Sequence, residues 1–108
     1  MNILGVEYPN YGVYKSNTIC NEENILSDSK YVLKFVTKQL KFDLKNIIIF
    51  GRSLGSGPAV YLASKYKIGA LVLVSGFTSI RAIVQEHAGI LKYMVKERFN
   101  NLYYIEKV

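Results

Sequence analysis

Near its middle the chain reads Phe50-Gly51-Arg52-Ser53-Leu54-Gly55-Ser56-Gly57-Pro58. The β-branched run before this stretch, residues 46–49, is typical of a buried parallel strand, and residues 59–63 after it are typical of a helix. The stretch therefore lies at a strand-to-helix turn. Its Gly-x-Ser-x-Gly pattern predicts a nucleophile elbow over residues 50–58, a strained turn that lifts the hydroxyl of Ser53 above the carboxyl end of the strand.

The motif requires glycine at two positions for a steric reason. Side chains at Gly51 and Gly55 would collide when strand and helix fold back on each other, so both positions favour a residue without Cβ. Ser53 then lies at a helix N-terminus, where N–H groups without intrahelical acceptors favour negative charge. We expect the backbone N–H of Leu54 to be one donor of an oxyanion hole.

Other interpretations of the same turn stay open. The residues also fit a glycine-rich β-α turn of an ordinary α/β domain, with no catalytic role. Phosphate-binding loops fit less well, because no Gly-Lys-Ser/Thr follows Gly51 and because Val60 stands where a dinucleotide fingerprint requires glycine or alanine. A helix N-terminus that binds an anion without chemistry is a further interpretation.

Length and composition place the chain among globular proteins. It has 108 residues, of which 50% are hydrophobic, and its mean hydropathy is +0.12. A doubly wound α/β enzyme usually needs about twice this length or more. We therefore expect the chain to be an internal portion of a larger domain.

The charge and the cysteine content limit the classes of partner and ligand that the chain is expected to bind. The net charge is +6, but the lysines are scattered and no basic-aromatic motif of a nucleic-acid module is present. Nucleic acid is therefore not an expected partner, whereas peripheral association with an anionic membrane surface is. The single cysteine, Cys20, excludes an internal disulfide and a cysteine metal motif, and we predict no metal and no cofactor. No signal peptide or 18-residue apolar run is visible, which does not decide the location of a chain that is expected to be an internal portion of a larger domain. The cytoplasm or the cytoplasmic face of a membrane is the expected location.

The remaining segments predict an alternation of strands and helices. Residues 3–8 are typical of a strand, residues 9–12 of a turn, and Asn21 of the N-cap of a helix that ends near residue 40, with four lysines on its solvent side. A second apolar run, residues 69–75, follows the helix after the elbow. The order predicts a three-layer αβα fold with a parallel sheet of three strands and a site at the carboxyl ends of the strands.

Residues 80–104 have a mixed helical pattern that predicts a lid or crossover region. Its aromatic side chains either line an acyl-sized pocket or belong to the core; they are Tyr93, Phe99, Tyr103 and Tyr104. The only histidine, His87, follows Glu86, but adjacent helix residues point about 100° apart, so Glu86 is badly placed to orient the ring. A surface or lid histidine is the preferred interpretation of His87.

Three segments in register, residues 8–12, 51–59 and 77–80, resemble the α/β-hydrolase superfamily. The resemblance is closest to the serine hydrolases with an α/β-hydrolase domain that include protein depalmitoylases. It extends over essentially the whole chain and implies that residues 1–108 are the central portion of one α/β-hydrolase domain. The three strands would be the fourth, fifth and sixth of the family; the family's third strand lies between the fourth and fifth. The first two strands here would then either leave a gap or pair directly.

The resemblance also implies roles for individual residues. Ser53 would be the nucleophile and the N–H of Leu54 an oxyanion donor, and we expect Tyr8, Arg52 and Phe77 to contact the substrate. The family places its acid and histidine after the segment matched here, so the 108 residues alone are expected to be inactive. The implied reaction is hydrolysis of esters or thioesters, including those of lipidated proteins. The alternative is a binding or scaffold domain without catalysis.

Overall fold

The computed structural model describes residues 1–76, 79–80 and 99–108. The chain divides into two compact units, residues 1–41 and residues 42–108. The first unit contains helix α1. Within its described residues, the second contains two strands, two helices and two short 3-10 turns. In chain order the elements are α1 (Glu22–Lys38), a 3-10 turn (Leu44–Asn46), β1 (Ile48–Arg52), a 3-10 turn (Ser53–Gly55), α2 (Ser56–Lys65), β2 (Ala70–Val74) and α3 (Asn101–Ile105).

Helix α1 begins where the sequence predicts. The side chain of Asn21 accepts a hydrogen bond from the backbone N–H of Asn24 at 2.9 Å, which satisfies one of the N–H groups of the first turn. Ile25 and Leu33 are buried. The four lysines of the predicted solvent side are exposed; they are Lys30, Lys34, Lys38 and Lys41. The amphipathic helix is therefore confirmed, and it ends two residues before the predicted end.

The predicted strand over residues 3–8 is wrong. These residues form no strand, and their apolar side chains face solvent, with Ile3 86% and Leu4 55% exposed. The pattern of apolar residues is local, whereas a strand is stable only when a neighbouring strand pairs with its N–H and C=O groups. The following turn is present, because the N–H of Tyr11 donates to the carbonyl of Tyr8 at 3.0 Å.

The second unit contains a β-α-β motif with a parallel sheet. Strands β1 and β2 pair in parallel from Ile48 opposite Ala70 to Arg52 opposite Val74. Helix α2 connects them and packs on both strands. The predicted crossover is therefore confirmed. Within the described residues the sheet has two strands, not three.

The start of both strands is fixed by one short segment. Asp43 caps the 3-10 turn at Leu44–Asn46, since its side chain accepts from the N–H of Lys45 at 3.2 Å. The N–H of Gly69, just before β2, donates to the carbonyl of Ile47, just before β1, at 2.9 Å. This bond sets the alignment of the two strands and hence the position of their carboxyl ends.

The two faces of the sheet differ in burial. Ala59, Val60 and Ala63 of α2 are 3%, 1% and 7% exposed, as expected for a ridge of small residues that packs on a sheet. On the other face, Ile48 and Phe50 are each 62% exposed. The α/β class is confirmed by the β1-α2-β2 motif, and the third layer stays a prediction.

We predict that Gly51→Ala destabilises the protein by about 1–3 kcal/mol, the usual cost of overpacking. A Cβ at Gly51 would lie 2.6 Å from the carbonyl oxygen of Gly55 and 2.7 Å from the Cβ of Ala59. Urea unfolding measures the change. The matched control is Gly76→Ala, whose added Cβ would lie 3.8 Å from its nearest neighbour. Equal stability of the two variants would contradict the tight approach at Gly51.

Candidate active site

Ser53 lies at a sharp bend between β1 and α2. The strand ends at Arg52, a 3-10 turn spans Ser53–Gly55, and α2 begins at Ser56. The backbone φ of Ser53 is +48°, in the left-handed region that non-glycine residues rarely occupy. Its side chain is exposed. Such a conformation costs about 1–3 kcal/mol and persists only where the surroundings enforce it. The predicted bend with an exposed serine is thus present.

The backbone of Ser53 continues into α2 through a hydrogen bond. The backbone N–H of Ser56 donates to the carbonyl of Ser53, which continues the turn directly into the helix. Leu54 is the second residue of the turn and is half-buried. The first N–H groups of a helical segment have no intrahelical acceptor, and this is the basis for the predicted role of the Leu54 N–H. That role stays a prediction.

Ser75 lies at the carboxyl end of the second predicted strand, and its left-handed conformation is a feature that the sequence does not predict. It directly follows β2, has a φ of +50°, and is exposed. Because Arg52 pairs with Val74, Ser53 and Ser75 are the next residues of two neighbouring strands at the same edge of the sheet. No sequence motif marks the left-handed conformation of a serine, so only the strand register brings the two hydroxyl residues together.

Three further residues, Tyr8, Arg52 and Phe77, are predicted to contact the substrate. Arg52 is the exposed last residue of β1, next to Ser53. Tyr8 belongs to the first unit, where it is half-buried and makes an edge-to-face contact with Tyr11, with ring centroids 6.1 Å apart. Burial raises the pKa of the Tyr8 phenol, and the electrostatic effects of Cys20 and Tyr11 raise it further. Contact of Tyr8 and Arg52 with a substrate stays a prediction, and Phe77 lies outside the described residues.

Two of the C-terminal aromatic residues pack on α2. Phe99 is 4% exposed, and its ring contacts Gly57 so closely that it occupies the space of a side chain there. The ring of Tyr104 meets that of Tyr61 edge to face at 5.2 Å. These contacts favour the core interpretation for Phe99 and Tyr104. Tyr103 instead faces solvent, with the Nζ of Lys107 3.6 Å from its ring centroid.

Several earlier interpretations fall on segments 77–78 and 81–98, which lie outside the described residues. They are the roles of His87, Glu86 and Tyr93 and most of the predicted lid or crossover region, residues 80–104. Among the described residues, no group of three His, Cys, Asp or Glu side chains is arranged to hold a metal ion. In that same part of the chain, no helix combines the length and apolar character that a membrane span requires.

Comparison with known proteins supports the resemblance to one superfamily. Over 78 residues the chain is 32% identical to mouse "Alpha/beta hydrolase domain-containing protein 17C", which corresponds to 72% of this chain and 24% of the mouse protein. The resemblance to the α/β-hydrolase superfamily is confirmed. The human and Xenopus tropicalis proteins of the same name are also 32% identical over 78 residues, which cover 23% and 24% of their lengths. No family model matches the chain, and no solved structure matches it significantly.

The chain spans about a quarter of the length of the curated relatives that it matches. The names of those relatives specify a hydrolase domain and no substrate. Around Ser53 the chain forms a strand, a bend and a helix, followed by a parallel strand. This order is the structural context that the Gly-x-Ser-x-Gly motif requires.

We predict that the phenol of Tyr8 titrates above the ordinary pKa of 10.0. Because the folded-state pKa is raised, the stability that this phenol contributes is fully present below pH 10 and is lost as the pH rises through the folded-state pKa. The pH dependence of the Tyr8 ring resonances measures the midpoint, and Tyr8→Phe identifies those resonances. A midpoint at or below 10.0 would contradict the burial of the phenol.

Proposed function

We propose that the whole protein is a serine hydrolase that cleaves carboxylic esters or thioesters, with Ser53 as its nucleophile. One observation carries the proposal: the exposed side chain of Ser53 lies in a left-handed bend between a parallel strand and a helix. The similarity to proteins with an α/β-hydrolase domain supports it. The close approach of Gly51 to α2 also supports it, because that approach is the steric requirement of the motif.

The proposed reaction proceeds in two steps. In the first, the Oγ of Ser53 attacks the carbonyl carbon and gives its proton to a base; the C–O or C–S bond then breaks, and the alcohol or thiol leaves with that proton. In the second, water attacks the acyl-enzyme, releases the carboxylic acid and returns the proton to Ser53. The backbone N–H of Leu54 would stabilise the negative oxygen of both tetrahedral intermediates.

The base and the acid of this mechanism are proposed to lie outside the matched segment, by resemblance to the family. Removing one triad member from a serine hydrolase costs on the order of 10⁴ or more in rate. We therefore propose that residues 1–108 supply the nucleophile and an oxyanion donor, and that activity belongs to the whole protein.

The finer proposal for the substrate is an S-acylated protein. It rests on the resemblance to hydrolases that include depalmitoylases and on the thioester bond, whose thiol is a better leaving group than an alcohol. The net charge of +6 would favour approach to an anionic membrane surface, where lipidated proteins are found. The exposed Arg52 beside Ser53 is the described cation nearest in sequence to the proposed nucleophile.

A fluorophosphonate probe applied to the whole protein tests the proposal. We expect one covalent adduct on Ser53, because the probe reacts with serines that a base has activated. Ser53→Ala should abolish labelling, and mass spectrometry of the digested protein locates the adduct. The matched control is Ser75→Ala, because Ser75 is also exposed, also has a positive φ, and lies at the same edge of the sheet.

Two results would contradict the proposal. Labelling that survives Ser53→Ala would assign the nucleophile elsewhere, and labelling lost in Ser75→Ala but not in Ser53→Ala would assign it to the neighbouring strand. If the folded whole protein shows no adduct at all, the alternative of a binding or scaffold domain is favoured.

A further inference from the structure

A buried hydrogen bond joins α3 to the first residue of α2. The side-chain amide nitrogen of Asn101 donates to the Oγ of Ser56 at 3.1 Å, across 45 residues of sequence. Ser56 is 0% exposed and Asn101 is 6% exposed. A hydrogen bond between two buried side chains is costly to break, because the remaining partner loses an interaction that water cannot replace.

The bond between Asn101 and Ser56 is linked to the proposed nucleophile, Ser53, through one further hydrogen bond. The backbone N–H of the same Ser56 donates to the carbonyl of Ser53. Asn101 therefore binds the side chain of Ser56, and the backbone of Ser56 in turn binds the backbone of Ser53. A displacement of Ser56 would be passed to the bend through this second hydrogen bond, since Ser53–Gly55 and α2 form one continuous helical segment.

The residues around Asn101 fix its own position. Asn100 caps α3, with its side chain accepting from the N–H of Tyr103 at 3.1 Å. The buried ring of Phe99 contacts Gly57, the residue after Ser56. The rings of Tyr104 and Tyr61 make a second contact between α3 and α2. Asn101 is thus presented to Ser56 by packed residues on both sides.

We infer that Asn101 is a positioning residue for the active site, which keeps Ser53 in its bend by holding Ser56 at the start of α2. The inference rests on the proposed function only for its catalytic consequence. The effect of Asn101 on the geometry of the bend can be measured whether or not Ser53 is a nucleophile.

The test compares Asn101→Ala, Ser56→Ala and the double variant in the whole protein. We expect each single variant to slow fluorophosphonate labelling of Ser53 by roughly 10- to 100-fold, the range that a small misplacement of a reacting group produces. Because both substitutions remove the same bond, the double variant should be little slower than either single variant. The amide resonance of Leu54, in protein carrying ¹⁵N-leucine, should shift in all three.

The matched control is Leu102→Ala, which truncates the neighbouring residue of α3, whose side chain is 56% exposed. It should leave both the labelling rate and the Leu54 amide unchanged. If Asn101→Ala does not fold, Asn101→Leu removes the same bond at a similar side-chain volume, and its Leu54 amide decides the question.

The outcomes separate the two proposals. A Leu54 amide that shifts in Asn101→Ala and Ser56→Ala but not in Leu102→Ala supports the positioning role, even if the wild-type protein is not labelled and the proposed hydrolase function fails. An unshifted Leu54 amide in folded Asn101→Ala overturns the positioning role. Labelling losses that simply multiply in the double variant also overturn it, because the two residues would then act independently.

Discussion

The close approach of β1 to α2 at Gly51 is the constraint on which the candidate site depends. There is no room for a Cβ at this position, because the backbone of Gly55 and the methyl group of Ala59 occupy it. The chain must therefore turn within a few residues, and Ser53 takes a left-handed conformation at a cost of about 1–3 kcal/mol. Full burial of side chains such as Val60 and Leu62 in α2, at about 1.5–3 kcal/mol each, offsets that cost.

The surrounding elements hold this bend from two sides. Strand β2 pairs with β1 along its whole length, so the two strands end together and Ser75 lies next to Ser53 at the edge of the sheet. On the helix side, α3 contacts α2 through Phe99, through Tyr104 and through the buried bond from Asn101 to Ser56. The exposed serine is thus supported by buried residues, as a proposed nucleophile requires for a fixed geometry.

The family and the geometry address different parts of the function. The similarity to α/β-hydrolase domain-containing proteins covers 72% of this chain but only about a quarter of the relatives. It supports the resemblance to the superfamily and leaves the reaction to be argued from the site. The bend supplies an exposed serine at the start of a helical segment, and its roles in attack on an acyl carbon and in stabilisation of the oxyanion are part of the proposal. The general base, the acid and the substrate are proposals for the whole protein.

The sequence by itself determined the local features. The glycine spacing around Ser53 predicts the bend and Asn21 predicts the start of α1, because each depends on residues close in sequence. The apolar runs also predict β1 and β2, which are stable because they pair with each other. The failed strand at residues 3–8 needed a pairing partner, which no local pattern supplies. The pairing that brings Ser75 to the same edge as Ser53 and the bond from Asn101 to Ser56 likewise depend on residues distant in sequence. Only the tertiary structure decides such contacts, since they form when separate segments pack together.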